Sequence, residues 1–363
     1  MTRALAATVV LWAYLGVVFV AWRGTQPLTP GDDWTSYAEI AVTVAHGDWT
    51  GGLAATGAPG GRWWHGTFLY PYLLAPFAFL FPLTWWQDVY WLQYVSLGLT
   101  VAGLGWLGGW RVLVLANLVA LLDVALWYPT RLLSENLLLP LLPLVFLAAR
   151  AERGMLFGAG LAAIALTRQN LLLFAVAALG FPVWRALRGR VPRRGDSGQV
   201  IRAGLGFAAV YSLLPLHEWW VTGFPWPVTA AGYGAYRLWV LDPWAAVWSV
   251  GHNLAFMAGF PGWVDPAYRI RPHWPLLWLL VVWGWRRAPA LLRLYVVLYV
   301  AVMAATPVIG VYGFRHLIGL TMVLPQFAAQ LSLYGLVLAT ATSDGLAEGL
   351  AILEESTHLN EAI

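Results

Sequence analysis

The chain alternates long apolar runs with short polar stretches. A helix that crosses a bilayer needs about 20 mostly apolar residues. Runs of this kind lie near residues 4–22, 89–107, 111–127, 132–149, 202–221, 275–285, 289–306 and 317–339. Residues 155–184 are apolar but too long for one ordinary span, and Arg168-Gln169-Asn170 interrupts them. Two short helices meeting at that triplet are predicted. The pattern as a whole predicts an all-α integral membrane protein with about ten transmembrane helices. Residues 1–340 form the membrane domain, and 341–363 an acidic, weakly helical tail. The first run is longer than a signal-peptide core and no small-residue cleavage site follows it, so it reads as a retained anchor.

Two segments between spans are long, 24–88 and 222–273, and both are rich in Trp, Pro and Gly. Residues 33–46 carry apolar positions at helical spacing. Residues 68–80 are apolar enough to lie at the interface, so the first long segment is expected to contain juxtamembrane helices.

Composition agrees with this reading. Hydrophobic residues make up 60% of the 363 positions and charged residues 10%, against about 25% charged in soluble domains. Such a surface must mostly face lipid. Every one of the 21 basic residues is Arg, and Cys is absent, which excludes disulfides, thiol catalysis and thiolate metal sites. The densest basic cluster, Arg185, Arg188, Arg190, Arg193 and Arg194, marks a cytoplasmic loop by the positive-inside rule. It is read as a topogenic signal and not as a nucleic-acid patch. Arg3, Arg150, Arg153, Arg286 and Arg287 then fall on the same side, with both termini cytoplasmic. More than half of the 17 acids fall on the other side: Asp32, Asp33, Glu39, Asp48, Asp88, Glu135, Glu218, Asp242 and Asp265. Most of the 24 Trp residues lie there too, which points to a thick layer on the bilayer surface, with Trp63, Trp64, Trp226 and Trp244 as candidates for stacking on sugar rings. Asn117 and Asp123, inside one span, read as interhelical hydrogen-bonding groups.

Carboxylates at a lipid boundary are functional candidates by default. Asp32-Asp33 is the leading pair, after Pro27, Pro30 and Gly31 and at the head of the predicted helix. Helix capping explains one Asp as well as catalysis does. The segment Asp33-Trp34-Thr35-Ser36-Tyr37-Ala38-Glu39-Ile40, continuing to Gly47-Asp48-Trp49, resembles the first outside loop of GT-C glycosyltransferases. It is most similar to the lipid A aminoarabinose transferase and protein O-mannosyltransferase group. Tyr70-Pro71-Tyr72-Leu73-Leu74-Ala75-Pro76 resembles the second half of that loop. Leu133-Ser134-Glu135-Asn136-Leu137, Gly160-Leu161 through Leu166-Thr167-Arg168, and Gly313-Phe314-Arg315-His316-Leu317 resemble later segments, in the same order. Where the group often has Lys-Pro-Pro, this chain has His65-Gly66, and Trp34 stands where the group has a second acid.

The resemblance implies a GT-C-like fold in the cytoplasmic membrane that moves a sugar, with inversion, from a polyprenyl-phosphate donor to an extracytoplasmic glycan, lipid or protein acceptor. Asp33 would be the base, because its spacing to Tyr37 matches, with Asp32 in support. Arg168, Arg315 and Arg131 stand at outside ends of spans, where a guanidinium fork can bind the lipid phosphate. A structural salt bridge or a snorkelling Arg is the plainer reading of each. Glu135, His65 and Tyr37 complete the substrate-binding candidates, and Glu135 could equally pair with Arg131 four residues earlier. His217-Glu218 closes one span, but no His-x-x-x-His pair stands beside a Glu, so no zinc site is expected; a divalent cation held in three dimensions is left open. No nucleic-acid partner is expected. Two rival functions are a transporter or lipid flippase, which inverted repeats would favour, and a non-catalytic membrane assembly subunit, which would tolerate loss of Asp32 and Asp33. No internal repeat is visible.

Overall fold

Apolar stretches of this length satisfy their backbone groups most simply as helices. In the computed structural model almost every described residue outside short turns is helical, and no strand occurs among them. The structure describes residues 1–23, 33–49, 69–124, 129, 132, 134–168, 171–187, 196–222, 243–258, 273–304, 320 and 322–330, without the side chains of 22–23, 33–36, 123–124, 181–187, 196–197, 221–222, 243, 245–246, 273 and 329–330. In chain order the helices are α1 (Thr2–Arg23), α2 (Asp33–Ala45), α3 (Leu69–Leu80), α4 (Trp85–Gly108), α5 (Trp110–Val119), α6 (Glu135–Arg150), α7 (Gly154–Thr167), α8 (Leu172–Leu187), α9 (Asp196–Tyr211), α10 (Leu213–Thr222), α11 (Pro243–Met257), α12 (His273–Gly284) and α13 (Ala290–Ala304). A π turn, Ala120–Val124, extends α5.

Two helical stretches, Thr2–Ala21 and Gly198–Trp220, are long and apolar enough to cross a membrane. Leu69–Leu80, Trp110–Leu122, Gly154–Thr167, Trp274–Gly284 and Ala290–Ala304 are shorter apolar helices. On the two long stretches large apolar side chains face outward, among them Val10, Leu11, Val17, Ile201, Leu205 and Leu216.

One large apolar core joins α1, α4, α5, α6, α7, α8, α12 and α13. Polar ties reinforce it: Trp12 on α1 donates its indole N–H to Asn117 on α5 at 2.9 Å. Asn117 therefore has the interhelical partner expected of it, whereas the Asp123 side chain lies outside the described residues. Two smaller clusters seat α2 and α3. Tyr37, Ala38 and Ala41 of α2 and Tyr70, Leu74 and Ala78 of α3 pack on Trp85, Val89 and Leu132. Ile40, Val44 and Ala75 pack on Leu166 of α7 and Leu214 of α10. Thus α2 and α3 rest on the end of the bundle where α4 begins and α7 ends.

Helices α7 and α9 approach each other most closely. Gln199 Oε1 accepts the Gly154 backbone N–H at 3.0 Å. A Cβ on Gly158 would overlap the Ala203 carbonyl, and one on Gly206 would overlap that of Met155. The start of α7 meets the start of α9 at Gly154 and Gln199, so the two run in the same direction and touch backbone to backbone through small residues. Gly158→Leu should therefore cost at least about 1–3 kcal/mol by overpacking, read as a lowered thermal midpoint in detergent, while Gly180→Leu, where a Cβ meets nothing within 4 Å, should change it little. Equal midpoints for the two variants would contradict this packing.

The run at 202–221, expected as one span, lies within the apolar helical stretch Gly198–Trp220, and a single turn residue, Ser212, separates α9 from α10 inside it. Pro215 is the cause: it has no N–H for the Tyr211 carbonyl, and its ring crowds that group. The run at 317–339 was expected as a helix. Its described part is instead a 3-10 turn, Leu324–Gln330, with Val323 and Gln326 donating to carbonyls three residues back and Pro325 unable to donate. The turn is buried, Gln326 donates to the Leu104 carbonyl at 2.7 Å, and Phe327 stacks on Trp285 at 5.9 Å. Finally, α11 lies within the segment 222–273, where the sequence pattern placed no particular helix.

Candidate functional site

The predicted interruption at Arg168 is real, and it builds the site. Helix α7 ends at Thr167, and Arg168 adopts an extended backbone, φ −144° and ψ 100°. Leu171 N–H then donates to the Arg168 carbonyl at 2.9 Å as the chain turns into α8. The break directs the Arg168 side chain toward the start of α6, where Arg168 Nη2 donates to Glu135 Oε1 in a buried ion pair. Ser134 Oγ donates to Glu135 Oε2 at 3.3 Å. Glu135 is the first residue of α6, so its charge also suits the positive end of that helix dipole. Only 2% of Glu135 and 9% of Arg168 remain exposed.

Aromatic and amide groups surround the pair. Tyr299 of α13 is buried within electrostatic reach of both Arg168 and Glu135. Tyr70 of α3 stands near Glu135 and hydrogen-bonds Asn136. Gln93 of α4 donates its amide N–H to the Tyr70 hydroxyl at 2.8 Å. The Tyr37 ring of α2 meets the Tyr70 ring edge-on, centroids 5.7 Å apart.

Three residues singled out from the sequence, Tyr37, Glu135 and Arg168, thus converge around Tyr70. The pairing of Glu135 with Arg131 falls outside the described residues; among the described residues Glu135 is paired with Arg168, thirty-three positions along the chain. Asp33 opens α2 one turn before Tyr37; its side chain, and all of Asp32, His65 and Arg315, lie outside the described residues. Of the aromatic candidates, Trp244 is exposed on α11, while Trp63, Trp64 and Trp226 lie outside the described residues. Sequence reasoning passed over Tyr70, Gln93 and Tyr299. Tyr70 sat inside a quoted motif, but the other two had only ordinary places on apolar helices. Among the described residues no three His, Asp or Glu side chains are grouped to hold a metal ion.

Burial pushes the Tyr70 hydroxyl well above the ordinary tyrosine range, and Tyr90, Tyr37 and Glu135 push it the same way against the hydrogen bond from Asn136. The unfolded chain releases this proton near pH 10. Above that pH the unfolded state binds fewer protons than the folded state, so stability falls as pH rises. The stability linked to the Tyr70 proton is complete below about pH 10 and is lost as pH rises toward the folded value, by up to about 1.4 kcal/mol per pH unit. The thermal midpoint should drop more steeply above pH 10 for the native protein than for Tyr70→Phe. Parallel curves would show that Tyr70 titrates normally.

The chain matches no family model, no curated protein and no solved structure. The functional reading therefore stands on its own residues.

Proposed function

We propose that this protein is a multi-pass GT-C-type glycosyltransferase of the cytoplasmic membrane, with about ten transmembrane helices and its active face extracytoplasmic. It takes a sugar from a polyprenyl-phosphate donor and passes it to an acceptor hydroxyl with inversion. The observation that supports this most is the Arg168–Glu135 pair, buried where an apolar helix breaks and reached by α2 through Tyr37, one turn from Asp33.

The chemistry is a single displacement. Asp33 takes the proton of the acceptor hydroxyl, and the acceptor oxygen attacks the anomeric carbon from the face opposite the phosphate. The bond between that carbon and the phosphate oxygen breaks, and its electron pair leaves with the polyprenyl phosphate. The developing positive charge on the sugar, as in other glycosyl transfers, is stabilised by the nearby carboxylate. Arg168 meets the departing phosphate with a planar fork. Glu135 holds the guanidinium in position, and Ser134 holds Glu135. A lipid phosphate lies at the membrane boundary, which suits a cation set at the end of an apolar helix.

The test is to incubate purified protein with a panel of polyprenyl-phosphate sugars and to score free polyprenyl phosphate. Release from at least one donor above the no-protein rate is expected. No release from any of them would defeat the reading.

A further inference from the structure

A second polar cluster lies away from Arg168, at the far end of α2. There the turn Gly47-Asp48-Trp49 meets α3 and α10. The Tyr72 hydroxyl of α3 donates to the Trp49 carbonyl at 2.7 Å. His217 of α10 brings Nε2 to 2.5 Å from the Tyr72 oxygen and 3.1 Å from the same carbonyl. With the Tyr72 proton on the Trp49 carbonyl, an Nε2–H donates to the Tyr72 oxygen. The other imidazole nitrogen, Nδ1, lies 3.6 Å from Oε1 of Glu218, a carboxylate with no exposed surface. Burial pushes the Tyr72 hydroxyl up, with Glu218 and Asp48 adding to the effect, so it stays protonated and able to donate.

These groups fix one aromatic ring. The Trp49 indole stacks on Tyr72, centroids 6.5 Å apart and planes 17° from parallel. One of its faces is therefore covered, yet 55% of Trp49 remains exposed. Trp220, exposed on α10, stands at 6.4 Å from the His217 ring. A tryptophan that only anchors a bilayer sits there by partition and needs no fixed orientation. This one is held by its backbone carbonyl, which takes the Tyr72 hydroxyl and lies beside His217 Nε2, and by a stacked ring. The surroundings also select a ligand. Asp48, partly exposed beside the ring, disfavours an anionic phosphate but accepts hydroxyl donors. An open indole face carries negative charge density that attracts the polarised C–H groups of a sugar ring.

We propose that Trp49, fixed by Tyr72 and His217, is a platform that stacks a sugar of the acceptor. The role as acceptor site rests on the transferase reading above. Asp33 opens α2 and the platform follows its other end; the helix is 13 residues long, about 20 Å. A sugar bound there is remote from the bond being made, so the acceptor is an extended oligosaccharide and not a monosaccharide.

The test is direct binding, read by saturation-transfer NMR from the purified full chain in detergent to maltohexaose, cellohexaose and chitohexaose, with glucose as the monosaccharide control. Transfer to the ring protons of at least one hexasaccharide, exceeding that to glucose, is expected. Binding should weaken at least about tenfold in Trp49→Leu, which keeps apolar bulk but loses the π face, and less in Trp49→Phe. Absence of transfer to all three oligosaccharides, or equal binding by Trp49→Leu, overturns the platform. So does a tryptophan emission signal that is lost in Trp49→Leu and quenched by brominated acyl chains in lipid nanodiscs, since the ring then faces the bilayer. The measurement needs no donor and no turnover. Failure here leaves donor cleavage standing, and failure of donor cleavage leaves a measured saccharide site standing.

Discussion

Replacing Asp33 with Asn is expected to leave a folded protein that has lost about 10²–10⁴-fold in sugar transfer, the range of a general base. The choice of Asn separates two roles that the sequence left equal. Asp33 is the first residue of α2, where Asn keeps the size and polarity of the side chain and loses only a modest charge–dipole contribution. If the residue only starts the helix, Asn serves as well, and activity persists. If it removes a proton, the amide cannot, and transfer stops while expression and thermal midpoint hold. Asp33→Ala is the complementary variant, since it removes the acid and the polar group together. The companion change Asp32→Asn decides which of the adjacent carboxylates acts. Full transfer by Asp33→Asn together with loss in Asp32→Asn moves the base by one residue. Full transfer by the double variant removes these carboxylates from the mechanism and favours a non-catalytic membrane subunit.

What could be read from sequence divides by range. Local signals held. The polar triplet at Arg168 interrupts an otherwise apolar run, and α7 and α8 meet there because no apolar core accepts those residues in a continuous helix. The helical spacing after Asp33 gave α2, and the apolar run before Phe81 gave α3. Non-local contacts left no such signal. Spacing alone points Glu135 to the cation four residues before it, and says nothing of the ion pair with Arg168, which the packing of α6 on α7 brings close. The contact of Tyr72 with His217, far apart in the chain, has no local signature at all. Helix α11 was hidden for another reason. Its surroundings are rich in Trp, Pro and Gly, and on its first turns Trp244, Val247 and Trp248 face outward, so the segment lacks the polar-to-apolar alternation that marks an amphipathic helix in water. The break at Ser212 was legible in principle, since Pro215 stands there in plain view, but hydropathy sums over a proline without registering its missing N–H.

Removal of Arg168 separates structure from function at the other half of the site. Arg168→Met leaves the Glu135 carboxylate buried beside Ser134 without its cation, and loss of one member of such a pair costs about 3–5 kcal/mol. A fall in thermal midpoint and in activity is expected, but that result alone fits a purely structural salt bridge. The double variant Arg168→Met, Glu135→Leu removes both charges and restores apolar packing of similar volume, a change that is often neutral or stabilising. Its midpoint should return to that of the native protein or exceed it. Donor cleavage should nevertheless stay about 10²–10³-fold down, the usual effect of deleting one group that stabilises transition-state charge, because no guanidinium meets the departing phosphate. Glu135→Gln gives a third measurement: it keeps the cation and the length of the side chain, so it should retain more activity than the double variant at a lower midpoint. Recovery of transfer along with stability in the double variant would assign the pair to the fold alone and leave the phosphate to other arginines.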